Sequence, residues 1–302
     1  MVGWAATHNL DTGFDTDVPR KRKEEIIPVH QIDAENGLFY RHTPPARDGG
    51  QTMVFFNALT GDTGMWEATI GESLRIEGHG TLSFNFRGQP ESPFSCEVAI
   101  DAATIIADAR SLIAALKPGR VVLCGLSIGG LFAAQAWRDG LAGAEVAGMV
   151  LINTLRKDGP RLQWIGDALV RCAGVGGLEL FRDLLTPLLL NQDWLADNRV
   201  NFLRDSGYTP LAKDAGHYNL LAHAGTADWD FPWEALDTPV LVVTGLQDHV
   251  FLEADVVDEL AQRLPQGQRL DMLDAGHILG HILPAERPAE LSTALNDFLR
   301  GI

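Results

Sequence analysis

Cysteine is scarce in this chain. Cys96, Cys124 and Cys172 are the three present in 302 residues, an odd number that makes no paired disulfide framework. Basic residues are also in short supply: 24 Lys and Arg stand against 40 Asp and Glu, a formal net charge of −16. That balance argues against binding a phosphate backbone, so no nucleic-acid partner is expected, and it otherwise serves solubility. No apolar run reaches about 18 residues without Gly or Ser breaking it, which excludes a membrane-spanning helix on the sequence pattern. The first 19 residues hold an acidic, Thr- and Asp-rich stretch where a secretory leader needs an apolar one. Arg20-Lys21-Arg22-Lys23 is followed at once by Glu24-Glu25 and reads as a solvated lead-in. There is no internal repeat and no low-complexity segment. What remains is an ordinary globular composition, 46% hydrophobic and 21% charged, in a chain able to bury roughly three quarters of its unfolded surface. The expectation is a cytoplasmic protein, monomeric or homodimeric, acting on a small molecule.

The most informative stretch is Val121-Val122-Leu123-Cys124-Gly125-Leu126-Ser127-Ile128-Gly129, an apolar strand that passes with almost no loop into a helix of small residues. G-x-S-x-G in that context puts a serine on a turn so tight that the positions two away on either side must lack bulk. Ser127 is therefore a candidate nucleophile. Such a serine needs a base to take its proton and an acid to orient that base, and both follow in order. Pro239 to Gly245 forms a second apolar strand ending in a turn with Asp248. Arg269 to Leu273 alternates like a short strand and leads into Asp274-Ala275-Gly276-His277, with a helix over 253–264 between acid and base. His281 lies one helical turn from His277 and is the alternative base. The His277-x-x-x-His281 spacing also allows a metal reading, which lacks the glutamate a helical metal motif would carry. Asp255 and Asp258 fall inside the helix and read as solvated charges. Asn153, at the end of the sixth strand, cannot stand in for an anionic acid.

With these residues in place the chain resembles the α/β-hydrolase superfamily, and the resemblance covers nearly everything after residue 25. Asn57-Ala58-Leu59-Thr60-Gly61 follows the third strand where many members carry His-Gly. Asn85-Phe86-Arg87-Gly88 stands where the family shows Asp-x-Arg-Gly, and Glu286-Arg287-Pro288 resembles the segment after the family's histidine. The resemblance implies an α/β fold: a mostly parallel, twisted eight-stranded sheet, helices on both faces and an inserted all-helical cap. The strands are expected near 52–57, 81–86, 120–125, 147–153, 239–244 and 268–273, after an antiparallel hairpin over 26–33 and 37–42. The core would span 26–153 and 233–302, after an N-terminal extension over 1–25, and the cap 154–232. The triad would be Ser127, Asp248 and His277, with an oxyanion hole from the backbone N–H groups of Leu59 and Ile128. Trp164, Phe181, Leu189, Trp194 and Tyr218 are candidate walls of a substrate pocket, or else the cap's own core. Gly174, Gly176 and Gly177 either hinge the cap or simply join two helices.

The implied activity is that of a serine carboxylesterase using an acyl-enzyme, on esters with an apolar acyl or aromatic part, without cofactor or metal. Lactonase, thioesterase, C–C hydrolase and acyltransferase chemistry stand as alternatives on the same fold, as does a noncatalytic ligand receptor.

Overall fold

The central strands carry apolar residues at successive positions, and each position feeds one of two cores. Because side chains alternate across a sheet, Val54, Phe56, Val121, Leu123, Met149 and Leu151 point to one face, while Met53, Phe55, Val122, Cys124, Val150 and Ile152 point to the other. A sheet apolar on both sides must be covered on both sides. The computed structural model describes residues 28–202, 207–277 and 285–302. The N-terminal extension, the basic cluster at 20–23, His281 and the segment from Ile278 to Pro284 lie outside the described residues.

Eight strands form one open sheet: β1 (Val29–Gln31), β2 (Gly37–Thr43), β3 (Thr52–Phe56), β4 (Gly80–Phe84), β5 (Gly119–Leu126), β6 (Ala144–Ile152), β7 (Val240–Gly245) and β8 (Gly267–Met272). Their spatial order is β1-β2-β4-β3-β5-β6-β7-β8. The β1–β2 and β2–β4 pairs are antiparallel and all others parallel, so the opening hairpin and the parallel sheet follow the sequence pattern. Helices α1 (Thr63–Trp66), α2 (Glu72–Ile76) and α9 (Pro288–Gly301) cover one face through Trp66, Leu74, Leu295 and Phe298. On the other face lie α3 (Ala102–Leu116), α4 (Ile128–Arg138) and α8 (Ala254–Gln262), through Ile105, Leu112, Leu131, Phe132, Val257 and Leu260.

Between β6 and β7 the described residues contain helices and no strand: α5 (Pro160–Leu189), α6 (Gln192–Phe202) and α7 (Gly216–His223). α5 is broken at Gly177, whose φ of 71° and ψ of −167° are non-helical. Gly174 and Gly176 stay inside helical turns, so the break is carried by one glycine. The Gly177 Cα also approaches the Thr209 carbonyl so closely that a Cβ would lie 2.2 Å from it. No helix among the described residues is long and apolar enough to cross a membrane.

Candidate active site

Reversal of strand order between β3 and β5 opens a crevice at the C-terminal ends of the strands, and β5 delivers Ser127 to it. The residue has φ 57° and ψ −126°, a conformation that disfavours any side chain. It is held there on both sides: its N–H donates to the Ile152 carbonyl at 2.7 Å, and its carbonyl accepts from Gly130 N at 3.1 Å. The flanking glycines are demanded by close approach. A Cβ on Gly125 would sit 2.3 Å from Gly130 N, and one on Gly129 would sit 2.4 Å from the Phe56 carbonyl.

Asp248 follows β7 and His277 follows β8. His277 Nδ1 and Asp248 Oδ2 are 2.6 Å apart, while the other carboxylate oxygen accepts from the N–H groups of Val250 and Phe251, each at 2.9 Å. Burial works against the Asp248 charge, but the His277 charge, its hydrogen bond and the two backbone donors outweigh it and bring the pKa down to about 2. The imidazole packs on Phe251 at 4.8 Å between centroids. Asn153, with φ 49°, clamps the loops in place. Its Nδ2 donates to the carbonyls of Gly276 and His277 at 3.1 and 2.8 Å, and its Oδ1 accepts from Gly245 N at 2.7 Å. The end of α5 adds a second clamp, since the Leu188 carbonyl takes His249 N at 2.9 Å and the Leu189 carbonyl takes His277 N at 2.7 Å. Glu286, buried and with its pKa raised by that burial, accepts from Gly276 N and from the backbone and side chain of Asn191.

Ser127 and His277 line one cavity of about 320 Å³, along with Leu59 and Ile128. The serine oxygen, however, is not hydrogen-bonded to the imidazole. Its described partner is Arg156, whose Nη2 donates to Oγ at 3.2 Å and to the Asn153 carbonyl at 2.7 Å. The guanidinium lies 4.7 Å from each of the Trp229 and Phe251 ring centroids. No sequence motif singles out Arg156. Its signal was position, a cation four residues beyond the end of a buried parallel strand, where sites are built. Trp229, Phe251, Leu162, Ile165 and Leu169 were missed as walls as well.

Of the expected walls, Phe181 and Leu189 line this cavity. The other three are corrected by the structure. Trp164 is 80% exposed, because Leu162, Ile165 and Leu169 take the inward face of α5 and a residue two positions after Leu162 points the opposite way. Trp194 is buried away from Ser127, beside Asp183, Pro187 and Asn198. Tyr218 packs on Gly174 where α7 meets α5.

The loop after β3 shows what replaces His-Gly. Asn57 is fully buried. Its Nδ2 donates to the Phe84 carbonyl and to Gln89 Oε1, both at 2.9 Å, and its Oδ1 accepts from Trp66 Nε1 at 2.7 Å. Gln89 Nε2 in turn donates to the carbonyls of Ala58 and Leu59 at 2.9 and 3.2 Å. The Asn85 that stands for the usual acid accepts from Thr63 N at 2.8 Å. Arg87 forms a buried two-point pair with Asp108. Among the described residues no group of three or more His, Cys, Asp or Glu is placed to hold a metal ion.

The family model for the alpha/beta hydrolase fold matches residues 51–281. The chain belongs to the α/β-hydrolase family. Among solved members of that fold, this α/β-hydrolase superposes on a thermophilic esterase from Thermogutta terrifontis with TM-score 0.70 at 22% identity, covering 91% of this chain and 97% of that one. The enol-lactonase from Burkholderia xenovorans LB400 gives 0.69 at 23% identity over 90% and 100% of the two chains. An esterase from Exiguobacterium antarcticum gives 0.69 at 16% over 88% and 96%. At these identities the likeness is one of fold. No curated protein matches the chain in sequence.

Proposed function

We propose that this α/β-hydrolase is a serine esterase, cleaving carboxylic esters with an apolar acyl or aromatic part through an acyl-enzyme. The observation that carries the reading is the buried His277–Asp248 pair in the same cavity as a serine on a strained strand-to-helix turn. Ser127 Oγ attacks the ester carbonyl and its proton passes to His277 Nε2; the alcohol then leaves with that proton. Water repeats the sequence on the acyl-enzyme and releases the acid. For this the imidazole must close on Oγ when substrate is bound, as catalytic hydrogen bonds in empty sites often do.

The oxyanion donors would be the N–H groups of Leu59 and Ile128. Neither has a hydrogen-bond partner among the described residues, and Ile128 opens α4, whose positive end favours developing negative charge. The segment 154–232 would act as the cap, its apolar α5 face and Trp229 excluding water from a small ester. The test is direct: a fluorophosphonate should label Ser127 stoichiometrically, and short p-nitrophenyl esters should be turned over. A protein that does neither is not a serine esterase.

Gln89 offers a finer check, because it supports the Leu59 peptide without touching substrate. Gln89→Leu removes the donor to the Ala58 and Leu59 carbonyls and the acceptor for Asn57. Unpaired buried groups of this kind cost about 2 kcal/mol in all. The expected result is that loss in urea denaturation, with kcat falling roughly tenfold and KM changing less, since a displaced oxyanion donor acts in the transition state.

A further inference from the structure

Among the described residues Arg156 is a cation without a salt-bridge partner. The residue is 6% exposed. The buried ion pairs among the described residues are Arg87 with Asp108 and His277 with Asp248; neither includes it. Its described hydrogen bonds all leave from Nη2, while Nε is buried with no partner. Two aromatic faces hold the guanidinium, and such contacts offset part of the cost of drying a charge but supply no acceptor for its N–H groups. Burial pulls its pKa down to about 10 against the opposing pull of Asp248, so it stays protonated near neutral pH. A buried donor fork that opens on a ligand cavity, has no anionic acceptor among the described residues and leaves Nε unpaired suits a planar, two-point anionic acceptor from outside.

We propose that Arg156 binds a carboxylate of the substrate, and that the natural ester is the monoester of a short dicarboxylic acid with an apolar alcohol part. This rests on the esterase reading and sharpens it. Nη2 lies 3.2 Å from Ser127 Oγ, attack on a carbonyl starts from about 3–3.5 Å, and a carboxylate seats about 2.8 Å from a guanidinium nitrogen. Together these lengths cap the distance from the scissile carbonyl carbon to the carboxylate at about 9 Å, which confines the acid part to a short dicarboxylic chain such as succinate. The rest of the cavity is lined mainly by apolar side chains, which suits the alcohol part. Its other charged lining residues, Glu179 and Arg182, lie on α5, and Arg182 pairs with Asp183. A bound carboxylate would also draw Nη2 away from Oγ, releasing the lone pair needed for attack.

The experiment compares phenyl hydrogen succinate with phenyl valerate, by phenol release, for the wild type, Arg156→Gln and Arg156→Lys. The wild type should favour the succinate in kcat/KM, and that preference should fall about 100-fold in Arg156→Gln and by a smaller factor in Arg156→Lys, which keeps charge but loses the fork. Equal losses on both esters, or no wild-type preference, would overturn the proposal. A second arm measures calorimetric binding of the stable amides succinanilic acid and valeranilide to Ser127→Ala. Binding of the acid at least tenfold tighter supports the carboxylate site even if no ester is turned over, in which case the esterase reading alone fails; equal binding refutes the site. This arm and Arg156→Lys decide the matter if Arg156→Gln does not fold.

Discussion

Ser127→Ala is expected to lower ester turnover by about 10³-fold or more while leaving the fold intact. The residual rate would come from the N–H groups of Leu59 and Ile128 and from binding, which survive the change. The fold should survive because the side chain contributes little to it: the described contact of Oγ is one hydrogen bond from Arg156 at 3.2 Å, and the hydrogen bonds that hold the turn belong to the backbone. Steady-state kinetics with a p-nitrophenyl ester, fluorophosphonate labelling and a thermal melt check the three parts together. Activity within tenfold of the wild type, in a variant that no longer takes the label, would remove the serine from the mechanism. A noncatalytic receptor would instead bind its ligand equally well in both proteins and release no product from either.

Asp248→Asn is expected to cost roughly 10³- to 10⁴-fold in kcat, for a reason that lies in its hydrogen bonds. One carboxylate oxygen accepts from Val250 N and Phe251 N, which only an acceptor can satisfy. An asparagine must therefore keep its carbonyl there and turn its NH₂ toward His277 Nδ1. That donor forces the ring proton onto Nε2, the atom that has to accept from the serine. The same residue makes a prediction about acid. Its folded pKa of about 2 lies below the ordinary aspartate value of 3.8, so the carboxylate stabilises the fold above about pH 4, by about 2 kcal/mol, and this is lost as pH falls through about 2. Melting temperatures of wild type and Asp248→Asn, measured from pH 6 down to pH 2, should converge toward the acid end. A constant gap would mean that the pair contributes no pH-dependent stability.

The sheet was readable from sequence because its strands are short apolar runs with glycine-marked ends, and every expected strand appears within three residues at either end. Ser127, Asp248 and His277 were readable for a related reason. Each lies within five residues of a strand's C-terminal end, so strand boundaries alone bring them to one edge of the sheet. The walls were harder. Whether Trp164 or Leu162 faces inward depends on the rotation of α5, and a helix apolar on more than one side does not declare it. Arg156 was hidden by chemistry: a cation followed by Lys157 and Asp158 reads as surface until the two rings that sandwich it, 73 and 95 positions later in the chain, are seen to converge. Asn153 was dismissed as an acid with good reason, yet its carboxamide joins the ends of β6, β7 and the His277 loop through contacts no local pattern encodes.

The left-handed twist of the backbone at residue 127 sets heat resistance against chemistry at a single codon. Glycine, indifferent to the sign of φ, would relax that twist and toughen the protein. Selection for survival at high temperature alone would thus drift toward discarding the hydroxyl, and a serine persists there only as long as something in the cell depends on what it does.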